Sequence, residues 1–86
     1  MMNTICTNNF KRSFAKIPSG IKELFAVQEK RFGENWRDAR LHIKRLHAFN
    51  GVFSFRVTRN WRVLFYFQNP ATAIFFEIDN RKDVYR

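Results

Sequence analysis

The chain has 86 residues, of which 16 are Lys or Arg and 7 are Asp or Glu, so its formal net charge is +9. This length predicts one domain, residues 1–86, and the 45% hydrophobic content with eleven Phe excludes a disordered basic tail, because such tails cannot bury a core. No apolar run approaches the roughly 18 residues of a membrane span, and the first residues lack a secretory signal, so we expect a cytoplasmic protein whose charge favours a polyanionic partner.

Two helices are predicted in the first third of the chain. The first helix is predicted to begin after Asn8 or Asn9, either of which can serve as its N-cap. Its apolar residues recur at helical spacing: Phe10, Phe14 and Ile17. Residues 18–20, Pro-Ser-Gly, interrupt the pattern, and a second helix is predicted to end at Gly33. Its stripe consists of Ile21, Leu24, Phe25, Gln28 and Phe32. Residues 4–7, before both helices, are a candidate edge strand.

The second half of the chain changes from helical to strand spacing. Residues 34–46 predict an irregular connection or a short helical turn. Residues 52–58 and 61–68 alternate with a period of two, which indicates a hairpin with Arg59-Asn60 as a tight turn, in which Asn60 is able to take a positive φ. Asn69-Pro70 is the next predicted turn and residues 72–79 the next strand. The residues expected on the buried face are Phe53, Phe55, Val57, Trp61, Val63, Phe65, Phe67, Ile74, Phe76 and Ile78.

These elements predict an α+β fold, in which two N-terminal helices pack on one face of a three- to four-stranded antiparallel sheet. The other face is left for solvent or a ligand, and it is expected to hold Ser54, Arg56, Arg62, Leu64 and Tyr66. Arg56 and Arg62 lie on neighbouring strands, so their guanidinium groups can converge. Converging guanidinium groups beside an aromatic ring suit a phosphate next to a stacked base. The alternative is that these arginines are solvated surface charges.

The residues that most often bind metals are sparse. His42 and His47 are five positions apart, and the sequence offers no third ligand for a metal. A histidine in such a connection is more often structural or exposed than a metal ligand. Cys6 is the single cysteine, which excludes a disulfide within the chain and a Cys-based zinc site. We therefore expect neither a metal nor a cofactor.

The segment FSFRVTRNWRVLFYF, residues 53–67, and the ending EIDNRKDVYR, residues 77–86, resemble the RelE branch of the RelE/ParE superfamily, toxins of bacterial toxin–antitoxin modules. The segment from Leu46 to Gly51 also agrees with this branch. The resemblance implies a bacterial cytoplasmic endoribonuclease that enters the ribosomal A site and cleaves the mRNA codon there without a metal. It implies mRNA, the ribosome and an acidic antitoxin as partners.

The resemblance also implies roles for single residues. Arg62 would stabilise the transition-state phosphate and Arg56 would hold the scissile phosphate. Arg81 would stabilise charge or protonate the leaving group, and Tyr85 would stack on or orient an mRNA base. Further residues are assigned to RNA binding: Lys44, Arg45, Ser54, Arg59 and Lys82.

Two positions depart from the family pattern and leave the proton acceptor open. Ser54 stands where some relatives have a basic residue, and Asn80 stands where many have His. The remaining candidates for the acceptor are His47, Lys82, Tyr85 and the ribosome itself.

Two other functions remain as alternatives. A ParE-like inhibitor of DNA gyrase would share the fold without nuclease activity, although that branch usually lacks the paired arginines and the terminal tyrosine. A basic nucleic-acid-binding module without catalysis would explain the net charge, but not the clustering of Arg56 and Arg62 on one sheet face.

Overall fold

The computed structural model describes residues 1–80. Strand β1 (Asn3–Cys6) precedes helices α1 (Asn8–Ala15) and α2 (Ser19–Glu34). A 3₁₀ turn (Ala39–Leu41) leads to the other strands, β2 (Lys44–Arg45), β3 (Phe53–Arg56), β4 (Trp61–Asn69) and β5 (Thr72–Asn80). The predicted α+β class and the two N-terminal helices are confirmed, and neither helix is long and apolar enough to cross a membrane.

The sheet is larger than predicted and mixed. Its five strands follow the order β1-β5-β4-β3-β2. β1 pairs in parallel with β5, and the other pairs are antiparallel. A parallel neighbour needs a long crossover connection, which the helices and the remaining strands provide between β1 and β5. β2 was missed because a strand of two residues has no measurable period.

Helix α1 begins one residue earlier than the predicted caps allow. The N-cap is Thr7, whose hydroxyl oxygen accepts a hydrogen bond of 3.1 Å from the backbone N–H of Phe10. Asn9 lies inside the helix instead, and its side-chain amide donates to a backbone carbonyl of β5 at 2.7 Å. Helix α2 continues past Gly33 and ends at Glu34.

The core lies between the helices and one face of the sheet. Phenylalanine rings from both layers form it, with ring centroids 4.9 Å apart for Phe32 and Phe65 and 5.2 Å apart for Phe32 and Phe75. Burial of such rings is the main source of stability available to a domain of this size. The buried cluster comprises Phe10, Ile17, Phe25, Phe32, Leu41, Phe55, Val57, Val63, Phe65, Ala73, Phe75 and Ile78.

The face assignment predicted for β5 is wrong at two positions. The register changes between Leu64 and Phe65, which pair with Glu77 and Phe75, so one extra residue of β5 stands between them. This bulge inverts the alternation. Ala73 and Phe75 therefore join Ile78 in the core. Ile74 and Phe76 face the other way, beside Tyr66, although Ile74 is nonetheless buried, at 7% exposure.

The connection between β3 and β4 is wider than the predicted tight turn. Arg56 and Arg62 form the last pair of the ladder, and the backbone N–H groups of Val57 and Thr58 both donate to the carbonyl oxygen of Trp61, at 2.9 and 3.2 Å. Asn60 has no positive φ, because among the non-glycine residues of 1–80 only His42 has one. The turn at Asn69-Pro70 is confirmed.

Candidate nucleic-acid interface

The outer face of the sheet, opposite the helices, carries a group of polar side chains. Arg56 and Arg62 are direct cross-strand partners on β3 and β4, and Lys44 is the partner of Ser54 on β2 and β3. Cross-strand partners share a face and have Cβ atoms about 5 Å apart. We call this group the arginine patch: Lys44, Ser54, Arg56 and Arg62.

Arg62 is the most constrained member of the arginine patch. Its Nε donates to the hydroxyl oxygen of Ser54 at 2.9 Å, and its Nη2 donates to the carbonyl oxygens of His42 and Ser54 at 2.6 and 3.4 Å. Arg62 is 2% exposed and Ser54 is fully buried. Both side chains were predicted on a face left for solvent or a ligand, which is wrong for this end of the sheet. The chain around His42 folds over them and supplies a carbonyl acceptor.

Local sequence explains the position of that covering segment. Leu41 is fully buried and anchors the end of the 3₁₀ turn, and His42 follows in the left-handed region with φ of 48°. Asp38 begins the turn by accepting a hydrogen bond of 2.9 Å from the backbone N–H of Arg40. The Arg40 guanidinium also bonds the Asp38 carboxylate at 2.7 Å and, together with that backbone bond, lowers the pKa of the carboxyl from 3.8 to about 2. These contacts hold the carbonyl oxygen of His42 toward Arg62.

Arg56 is half-buried, and its surroundings differ from those of Arg62. Its Nε is buried and has no hydrogen-bond acceptor in the part of the chain that the structure describes. Its backbone is fixed by Gln28 of α2, whose side-chain amide donates to the carbonyl oxygens of Arg56 at 2.8 Å and Arg40 at 2.9 Å. Gln28 was predicted only as a member of the core stripe of α2, so this role was missed. The only signal was a polar residue in an apolar stripe.

The other predicted RNA-binding residues are dispersed. Arg59 is exposed in the connection between β3 and β4. Arg45 pairs with Phe53 and lies over its ring, with the guanidinium carbon 6.0 Å from the centroid, so it faces away from the arginine patch. Arg81, Lys82 and Tyr85 lie outside the described residues. The side chains of His42 and His47 are exposed.

The chemistry available at the arginine patch is anion binding. Arginine keeps its proton at any working pH, so Arg56 and Arg62 donate hydrogen bonds and cannot act as bases. Burial raises the pKa of the Cys6 thiol, which disfavours a thiolate nucleophile. Within residues 1–80, no group of three or more His, Cys, Asp or Glu side chains could hold a metal ion.

Comparisons with known proteins bear on the fold. No family model and no curated protein sequence matches the chain. Among solved structures, YafQ from E. coli strain BL21(DE3) superposes with a TM-score of 0.79 at 9% identity over the full length of both chains. A chain of the RelB-RelE antitoxin-toxin complex from Methanococcus jannaschii gives 0.76 at 18% identity, over 94% of each chain. The chain has the RelE-like toxin fold.

One further RelE-like structure is closer in sequence. A chain of the toxin-antitoxin complex RelBE2 from Mycobacterium tuberculosis is 26% identical, with a TM-score of 0.64, and the match covers 93% of this chain and 98% of that one. The RelE-like fold therefore extends over nearly all of the sequence. The resemblance inferred from residues 53–67 and 77–86 is confirmed at the level of the fold.

Proposed function

We propose that this RelE-like protein is the toxin of a toxin–antitoxin module and that it is a ribosome-dependent mRNA endonuclease acting on A-site codons. The observation that carries the proposal is the cross-strand pair of Arg56 and Arg62, in which one guanidinium is fixed by hydrogen bonds and the other has a buried donor without an acceptor among the described residues. A phosphate oxygen is an acceptor that suits such a donor, and it reaches the buried Nε when the side chains around Arg56 shift. Several structures with this fold are antitoxin complexes.

The proposed reaction is an internal transesterification of RNA. The ribose 2′-oxygen attacks the adjacent phosphorus, the bond to the 5′-oxygen of the next nucleotide breaks, and the products are a 2′,3′-cyclic phosphate and a 5′-hydroxyl. The proton of the 2′-OH passes to an acceptor and the 5′-oxygen receives one. His47, Lys82, Tyr85 and the ribosome remain the candidates for the acceptor. In-line positioning on the ribosome supplies part of the rate, since positioning alone contributes roughly 7–11 kcal/mol in favourable cases.

Arg56 and Arg62 would both stabilise the negative charge of the transition state, each from a different distance. The pentacoordinate phosphorane carries extra negative charge on its oxygens, and preorganised donors interact with that charge more strongly than with the ground state. Arg56 is half-buried and makes the direct contact. Arg62 is 2% exposed and acts as a fixed charge behind it. Direct contact of Arg62 with the phosphate requires the segment around His42 to move.

Primer extension on a defined mRNA, with and without programmed ribosomes, tests the proposal. We expect cleavage inside the A-site codon only when ribosomes are present, and the same cleavage with EDTA at a level that leaves the ribosomes intact. Arg56→Gln is expected to lower the cleavage rate by roughly 10²–10³, the loss typical of one transition-state donor. Arg12→Gln removes the same charge from an exposed position on α1 and serves as the matched control.

Each other outcome has a definite meaning. A chain that arrests growth but cleaves no RNA in either condition contradicts the nuclease and directs the work to a gyrase supercoiling assay. Cleavage of free RNA contradicts the ribosome dependence and means that the protein supplies its own acid and base.

An acidic antitoxin is the proposed protein partner. The net charge of +9 favours a partner of opposite charge, and association of this kind weakens as salt screens it. We expect a salt-sensitive complex with the product of the neighbouring short reading frame, measured by size exclusion at low and high salt. Independence from salt would contradict this partner chemistry.

A further inference from the structure

A second feature of the outer face lies next to the arginine patch and has a different character. It is a groove with a volume of about 420 Å³, lined by the aliphatic residues Leu46, Val52 and Leu64 and by aromatic rings. Tyr66 and Phe76 have ring centroids 5.7 Å apart at an angle of 46°. Tyr66 is 41% exposed and Phe49 is 62% exposed. We call it the aromatic groove: Leu46, Phe49, Val52, Leu64, Tyr66 and Phe76.

The aromatic groove adjoins the arginine patch along strand β4. Leu64 lies two residues beyond Arg62 on β4, and it is the cross-strand partner of Ser54, which holds Arg62. Two residues of a strand span about 6.6 Å and return to the same face. A nucleotide whose phosphate lies at Arg56 and Arg62 would therefore have its base within reach of Leu64, at the near end of the groove, and Tyr66 follows two residues further along β4.

We propose that the aromatic groove binds one unstacked base of the RNA strand whose phosphate lies at the arginine patch. The inference rests on the proposed function only in taking the arginine patch as a phosphate site. A base is flat and apolar on both faces, so it suits a groove with aliphatic walls and exposed rings. Aromatic side chains on a sheet surface beside a basic groove are a general means of binding single strands.

Glu77, at the edge of the groove, indicates how selective this binding is. Its Oε1 accepts hydrogen bonds from the Ser13 hydroxyl at 2.7 Å and the backbone N–H of Ile78 at 3.2 Å, and its Oε2 accepts one from the Asn9 side chain at 3.1 Å. The carboxylate is thus engaged by α1 and by its own strand. With the rest of the lining apolar, stacking dominates and the groove accepts any of the four bases.

Fluorescence anisotropy with short 2′-deoxy single strands tests the inference at low salt. These strands lack the 2′-OH, so they bind without being cleaved. In the parent protein, one abasic position is expected to weaken binding by roughly 5- to 150-fold, the equivalent of about 1–3 kcal/mol for one stacked base. Changing the identity of the base at that position is expected to alter affinity far less.

Variants assign this abasic penalty to the groove. Tyr66→Ala and Phe49→Ala are expected to weaken binding of the intact strand and to abolish the penalty, whereas Tyr66→Phe keeps it. Leu24→Ala removes an apolar side chain that is 47% exposed on α2 and is expected to change nothing. Arg56→Gln is expected to weaken intact and abasic strands equally.

The outcomes separate this inference from the proposed function. Equal affinity for all abasic strands, a penalty that survives Tyr66→Ala, or no binding at all overturns the groove as a base site. Should Tyr66→Ala instead weaken only the complex with the neighbouring gene's product, the groove is a protein-docking site and the inference is wrong. A protein that shows the abasic penalty but does not cleave mRNA supports the groove as a base site and contradicts the proposed nuclease. A protein that cleaves mRNA but shows no penalty supports the nuclease and contradicts the groove as a base site.

Discussion

The two faces of the sheet are both rich in aromatic residues, yet they are buried to very different degrees. On the core face, Phe55, Phe65 and Phe75 are fully buried beneath the helices. On the outer face, Tyr66 is 41% exposed, and Phe49, from the connection between β2 and β3, is 62% exposed beside it. Since the residue types are alike, composition does not distinguish a stabilising ring from a ring available to a ligand. What decides between the two is whether helices cover that face of the sheet.

The outer face is itself divided into two ends. At one end, Arg62 is closed in by Ser54 and by the segment at His42. At the other end, Tyr66 lies beside an open groove. A buried cation with fixed hydrogen bonds next to exposed rings is an arrangement that favours a ligand with both a charged and a flat apolar part.

Truncation of a ring on the core face is expected to change the free energy of unfolding most. Phe55→Ala is expected to lower the free energy of unfolding by about 3–5 kcal/mol, because it removes a fully buried ring and leaves a cavity. Tyr66→Ala on the outer face is expected to lower it by less than about 1 kcal/mol. Urea unfolding at equilibrium measures both. Similar losses for the two variants would contradict the assignment of the faces.

The face of each strand could be predicted from sequence where alternation runs without interruption. Phe55, Val63 and Phe65 were placed correctly in the core because β3 and the first half of β4 keep a strict period of two. The same reasoning failed on β5, where the bulge adds a residue and turns Ile74 and Phe76 outward. Ile74, Phe75 and Phe76 are all apolar, so the sequence does not show where the bulge interrupts the alternation, which depends on pairing with β4.

The candidate site was predicted in part for a similar reason. The cross-strand relation of Arg56 and Arg62 followed from the two strands and their connection, and the structure confirms it. The burial of Arg62 was missed because it depends on a non-periodic segment with His42 in the left-handed region. The contact of Gln28 with the carbonyl of Arg56 depends on how α2 packs on the sheet, which no local pattern encodes.

Arg56 and Arg62 are expected to differ in how much each contributes to stability. Arg62→Ala is expected to cost about 2–3 kcal/mol of unfolding free energy, since it removes the charged hydrogen bonds that the guanidinium donates to the buried Ser54 hydroxyl and to the carbonyl oxygen of His42. Arg56→Ala is expected to cost less than about 1 kcal/mol, because its side chain is half-buried and its Nε bonds no described residue.

Arg62→Lys separates the loss of charge from the loss of geometry. Lysine keeps the charge but lacks the planar fork that bonds two groups at once, so we expect it to recover only part of the stability. Urea unfolding of the three variants at one salt concentration is the measurement. An Arg62→Ala protein as stable as Arg56→Ala would show that Arg62 is not fixed as described.

The smallest expected effect is the pH dependence contributed by Asp38, which supports the segment covering Arg62. Its folded-state pKa is about 2, below the ordinary 3.8, because of the hydrogen bonds with Arg40. A lowered pKa gives stability that is present above about pH 4 and is lost as the pH falls through about 2. Asp38→Asn is therefore expected to lower the thermal midpoint by at most a few degrees near pH 7, since the pair is exposed and screened. That difference from the parent should shrink toward pH 2.

Glu29→Gln is the matched control of opposite sign, since burial raises the pKa of the Glu29 carboxyl and its ionisation opposes folding. Its variant should gain stability near pH 7 and lose that gain as the pH falls through the carboxyl range. An Asp38→Asn protein as stable as the parent near pH 7 would mean that the Asp38–Arg40 contact does not support the covering segment.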